Sequence, residues 1–201
     1  MSDNNLPSVQ WPFPGLDLAE KELSYDYCYN KIPPEDRSRI VKMAWERGES
    51  AARDTFAKFK GEGDFFAIAA QDGLSCELVD KDYVIGNLRF FSDYLSGRKQ
   101  IRLYTRSIAL WAKENNLDEG TARNLILSHE YFHFLECTVL GLNSRLYQVP
   151  MLIIGPLKIG RTGIRALSEI GAHAFAHTYH NLPGGLLLTK DKQENTNEIS
   201  Q

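Results

Sequence analysis

Residues 127–136 read LSHEYFHFLE, and few ten-residue stretches restrict a fold as strongly. His129, Glu130 and His133 form the pattern His-Glu-x-x-His. On an α-helix, residues four apart share a face one turn apart, so both imidazoles can reach a single divalent ion. Glu130 projects about 100° round from His129, beside such an ion rather than on it, where a carboxylate can take a proton from bound water. Ile126, Leu127, Phe134 and Leu135 supply apolar surface for burying the helix. Two imidazoles do not complete a catalytic zinc site, which takes three protein ligands and keeps one position open. The chain must therefore bring a second ligand-bearing element against this helix. In a chain with 5 histidines the pattern arises by accident roughly once in a hundred. The alternative is a partly buried helix with two hydrogen-bonded histidines.

The other three histidines shift that balance. His173, His177 and His180 all fall in ALSEIGAHAFAHTYHNLP, residues 166–183. Glu169, His173 and His177 recur every four residues and share a helix face. The expected ligand set for Zn²⁺ is His129, His133 and Glu169, with His173 as the competing third ligand. An extended pattern with a third histidine six residues after the second is absent, because Val139 holds that place and Glu136 stands where a glycine is expected. For His177, Tyr179 and His180 the plain expectation is helix-surface polarity.

These motifs resemble the gluzincin metallopeptidases, and within them the compact ImmA/IrrE-like domains. Glu169, Ala172, His173, Phe175 and Ala176 fall on that group's second-helix pattern, and Leu182-Pro183 resembles its ending, one position late. IAAQDGLSCELVD resembles the short helix leading into the first strand, and IRLYT the strand before the active-site helix. The resemblance covers residues 64–183; the first sixty residues have no counterpart in it. It implies a zincin-like fold and a cytoplasmic zinc peptidase acting on a peptide or protein, with Glu130 as general base. His173 would orient the first metal histidine, ligate, or stabilise an oxyanion; His177, Tyr179 and Tyr131 are further oxyanion candidates. Phe132 replaces a small residue, and the 36 positions from His133 to Glu169 leave residues 148–163 free to form a flap or pocket wall. A metal-binding module without turnover and a non-peptide metallohydrolase would use the same residues.

The rest of the chain frames this site. With 43% hydrophobic and 24% charged residues among 201, one full-sized core is expected. A net charge of −3 gives no footprint for nucleic acid or an anionic membrane. The N-terminus, MSDNNLPSVQWPFPG, lacks a signal peptide's basic start and apolar run. Cys28, Cys76 and Cys137 show no paired spacing and are expected to be small buried hydrophobes in a reducing compartment. Residues 1–63 read as an irregular arm followed by a long helix from Pro33-Pro34 to Gly61, and 65–71 as a short helix capped by Asp64. LSCELV, NLRFFSDYL and KQIRLYT suggest a three-stranded antiparallel meander, with IRLYT a candidate edge strand for an extended substrate. Helices follow at 107–115, at 118–139 from the N-cap Asp118, and at 163–181, the last two separated by a loop of some two dozen residues. Arg161 and Arg165 read as solvated. The class is α+β with no second core, and 184–201 is a polar tail expected to be disordered.

Overall fold

The last helix, α6 (Ala166–Asn181), is apolar on almost every side, as LSEIGAHAFAHTYH requires of a helix packed all round. The computed structural model describes residues 13–182, and within them α6 lies between two apolar clusters. Ala172, Phe175 and Tyr179 face one cluster; Leu167, Ile170 and Ala174 face the other. The single core expected from the sequence is thus two, with a ligand-bearing helix as the shared wall.

The first cluster forms around α5 (Glu119–Leu135), α3 (Phe65–Gln71) and α4 (Thr105–Glu114). Asp64 and Asp118 cap α3 and α5 as expected, accepting from the N–H groups of Phe66 and Thr121 at 2.9 Å each. A small sheet closes this side. Its strands are β1 (Ser75–Val79), β4 (Ser92–Leu95) and β5 (Gln100–Tyr104), in the order β1-β5-β4.

This sheet is mixed rather than an antiparallel meander, because β1 runs parallel to β5 while β4 runs antiparallel to it. The run NLRFFSDYL breaks at Phe91: its first half, β3 (Leu88–Phe90), pairs with β2 (Tyr83–Ile85) in a separate hairpin. That leaves the other side of β5 to β1. β5 is therefore central, and β1 and β4 are the two edge strands.

Residues 13–60 build much of the second cluster. The start of the expected irregular arm, 1–12, lies outside the described residues; the rest holds α1 (Leu16–Ser24), followed by α2 (Pro34–Lys58). Leu23, Ile40, Val41 and Trp45 pack on α6. The approach of α2 to α6 is close enough to demand glycine. A Cβ on Gly48 would stand 2.1 Å from the Gly171 carbonyl oxygen and 2.8 Å from Ala174 Cβ; on the other side of α6, one on Gly171 would meet Asn143 Nδ2 at 2.1 Å and the Phe132 ring at 2.8 Å. The loop after α1 fixes the start of α6: buried Asp26 accepts from the Ala166 N–H at 3.0 Å.

The long loop expected before α6 holds a β-hairpin, β6 (Gln148–Ile154) and β7 (Leu157–Gly163). An unstructured connection of that length inside a domain is uncommon. Lys31 Nζ donates to the Met151 carbonyl at 2.7 Å at the base of the hairpin. Cys28 is buried, Cys76 half-buried and Cys137 exposed, so the buried-hydrophobe expectation holds for the first alone. No helix among the described residues is long and apolar enough to cross a membrane. The expected stop at 183–185 and the polar tail lie outside the described residues.

Gly48→Ala should lower unfolding free energy by about 1–3 kcal/mol through overpacking. Gly63→Ala, which meets nothing within 4 Å, should stay within about 0.5 kcal/mol. Urea denaturation of the two variants beside the parent checks this.

Candidate metal centre

α5 and α6 meet at the floor of a cleft of about 940 Å³. His129 and His133 reach it from α5, one turn apart, and Glu169 from the first turn of α6. One ligand atom from each of the three lies within 4.8 Å of the other two. His129 Nε2 is 3.3 Å from His133 Nε2 and 3.2 Å from Glu169 Oε2; His133 Nε2 is 3.7 Å from Glu169 Oε1. Donors about 2.0–2.1 Å from a tetrahedral zinc stand about 3.3 Å from one another. The donor set, two imidazoles and one carboxylate at that mutual spacing, therefore fits zinc.

Glu136, marked in the sequence only as standing where a glycine is expected, fixes this arrangement. Its side chain is buried at the start of a π-helical turn (Glu136–Leu140) that extends α5. Oε2 lies 2.9 Å from His133 Nδ1, while Oε1 accepts from the Asn143 N–H at 2.6 Å and from Ser168 Oγ at 2.9 Å. With Nδ1–H donated to Glu136, the lone pair of neutral His133 sits on Nε2, facing His129 and Glu169. Ser168 immediately precedes Glu169, so one carboxylate ties both ligand-bearing helices together. Burial opposes charge on His133, yet hydrogen bonds to Glu136 and Glu169 raise its pKa well above the usual value. Burial likewise opposes the Glu169 carboxylate, but hydrogen bonds to His129 and His133 pull its pKa well down.

Glu130 faces the same cleft without joining the three-residue group. Ser92, on the edge strand β4, donates to Glu130 Oε1 at 2.7 Å. Ser92 was invisible as a site residue because nothing in the sequence ties position 92 to position 130.

His173 lines the cleft but stands outside the three-residue group, so the geometry favours Glu169 over it as the third ligand. It does not orient His129 either. Their ring centroids are 4.9 Å apart at 49°, and among the described residues His129 Nδ1 is buried without a hydrogen-bond partner. Burial, followed by repulsion from His129, lowers the His173 pKa to about 3, so its imidazole is neutral. Phe13 stacks on His173 at 5.7 Å and also flanks His129 and Trp111.

The other candidates serve the fold. Tyr131 is buried and donates to Asp72 at 2.5 Å; Tyr179 is buried and donates to the Glu62 carbonyl at 2.6 Å. His180 is buried with Nε2 3.1 Å from Ser128 Oγ, and His177 Nε2 lies 3.2 Å from the Phe13 carbonyl. None of these four lines the cleft; surface polarity is the wrong account of Tyr179 and His180, which are buried, while His177 is half-buried. Arg165 lines the cleft, whereas Arg161 and the rest of the hairpin do not, so 148–163 is no wall of this pocket. Glu22 of α1 does line it.

No family model, curated protein or solved structure matches this chain. The functional reading therefore rests on the motif and on the geometry of the cleft.

Glu136→Ala would release His133 and strand the buried Asn143 N–H. The expected cost is about 1–3 kcal/mol of stability and a zinc affinity weaker by about 10–100-fold, read by denaturation with chelator present and by zinc competition titration.

Proposed function

We propose that this chain is a zinc-dependent peptidase of gluzincin type, with the ImmA/IrrE-like domains as the group it resembles by motif. One observation carries the reading: ligand atoms of His129, His133 and Glu169 converge on one point, with the Glu130 carboxylate in the same cleft. A metal site used only for structure is closed by four protein ligands; three ligands with an adjacent carboxylate fit hydrolysis.

Zinc, when bound, supplies a polarised carbonyl and a water acidified to a pKa of about 7. Glu130 takes the proton of the attacking water and delivers it to the departing amine. Ser92 holds Oε1 of Glu130, which leaves Oε2 for that transfer. His173, neutral at working pH, offers one N–H to the oxygen on which negative charge grows. Glu136 keeps His133 in the tautomer that presents Nε2.

The substrate is an extended peptide lying along the open edge of β4, whose residues Ser92, Asp93 and Tyr94 line the cleft. This corrects the expectation for IRLYT, which is flanked by strands on both sides. A cleft of about 940 Å³ has room for several residues.

Glu130→Gln should retain zinc and lose about 10²–10⁴-fold in turnover of a proteome-derived peptide library followed by mass spectrometry. Glu169→Ala should lose tight zinc binding. Equal cleavage by parent and Glu130→Gln, or no cleavage by either, would overturn the peptidase reading.

A further inference from the structure

α1 brings to the cleft a carboxylate that the chemistry above does not use. Ala19 and Leu23 are buried against α2 and α6, and this fixes the rotation of α1. Glu22, beside Leu23, is left half-buried on the cleft wall with His129 and Glu169. It is outside the three-residue group, so it is not placed to ligate the same ion.

No lysine or arginine among the described residues pairs with Glu22; burial and repulsion from Glu169 raise its pKa, and His129 offsets this only in part. Among the described residues its carboxylate accepts no hydrogen bond and forms no ion pair, although most other carboxylates around the cleft are engaged. Asp93 is paired with Arg102, Glu136 holds His133, Glu130 holds Ser92, and Glu169 meets both metal histidines. Of the two arginines on the cleft wall, Arg89 is bonded to Asp82, and Arg165 makes no ion pair with Glu22. Leu18, one turn earlier on α1, and Asp26, just past its end and bonded to the Cys28 and Ala166 N–H groups, cannot neutralise it. Removing a carboxylate from water without a partner is unfavourable, and a cation arriving in the cleft would relieve that.

A second feature points to the same ligand. The Phe13 ring packs on His129 at 5.7 Å and on Trp111 at 5.4 Å, giving the cleft an aromatic wall beside the histidine that Glu22 faces. An aromatic wall and an unpaired carboxylate together are what an organic ammonium or guanidinium binds.

We propose that Glu22 is a substrate-binding carboxylate that receives a cationic nitrogen of the peptide, either its free α-ammonium or a basic side chain. This builds on the peptidase reading by naming a substrate class, but its test is a binding measurement that does not depend on turnover.

The experiment uses the full chain carrying Glu130→Gln, loaded with zinc, and one neutral peptide made in three forms. These are N-acetylated, with a free amine, and N-acetylated with norleucine replaced by lysine at each position in turn. Affinities are measured by calorimetry. A cationic form should bind about tenfold more tightly than the neutral parent, and which form does so identifies the α-amine or the side chain. Adding Glu22→Gln should shrink that preference to within about twofold, with zinc stoichiometry unchanged, and Glu22→Lys should favour a glutamate-containing peptide instead. The proposal is overturned if no form binds, if all bind equally, if the preference survives Glu22→Gln, or if Glu22→Gln loses zinc. Failure of the protein with intact Glu130 to cleave any peptide would remove the peptidase reading and leave this result standing.

Discussion

The architecture of the cleft depends on one buried carboxylate. Glu136 sits where α5 gives way to its π-helical turn, and its two oxygens reach His133, the backbone of Asn143 and Ser168. A charge in that position is tolerated because three hydrogen bonds satisfy it. Each bond joins a different part of the chain, so the carboxylate sets both the direction of one imidazole and the register of the helix carrying Glu169. Removing it would leave a buried N–H unpaired and a histidine free to turn, which makes it structural and functional at once.

The same helix explains why the first sixty residues belong to the site. α6 cannot stand in water, since it is apolar nearly all round; α1 and α2 provide the cover that the small sheet does not. The contact is tight enough that Gly48 admits no side chain against Gly171. Asp26 holds the first turn of α6, and Arg47 donates to the Leu140 carbonyl and, at 3.0 Å, to that of Gly141 just beyond α5. Through these contacts the N-terminal helices place Glu169 relative to His129 and His133. They also add Phe13 and Glu22 to the cleft, so the segment without a recognised counterpart shapes what the pocket can hold.

What the sequence made legible follows the range of its signals. His129, Glu130 and His133 could be read from a four-residue spacing within one helix, and Asp64 and Asp118 from capping rules that act over three residues. Glu169 needed a second helix and the scarcity of histidines. Strand pairing was misread because it is non-local: nothing within NLRFFSDYL announces that it divides at Phe91 between two sheets. The hairpin at 148–163 was hidden by Pro150, Gly155, Pro156 and Gly160, which read as loop residues. Ser92 and Glu22 escaped altogether, each being polar, solitary in the sequence, and important only through a partner 38 positions away or through a cleft that exists only once the chain has folded. Glu136 escaped because its tie to Ser168 spans 32 positions, while its nearness to His133 reads as an ordinary helix pair. Tyr179 and His180 misled in the opposite direction, because buried polar side chains with internal partners look like a wet helix face when only their spacing is known.

The most direct test of the central claim is anomalous diffraction at the zinc edge from crystals of the full chain purified without chelator. The account predicts one strong peak between α5 and α6, bonded to His129 Nε2, His133 Nε2 and a Glu169 oxygen at about 2.0–2.2 Å, with Glu130 outside the ligand set. A peak at other residues, or protein that binds no zinc while the two helices hold the same geometry, would contradict it.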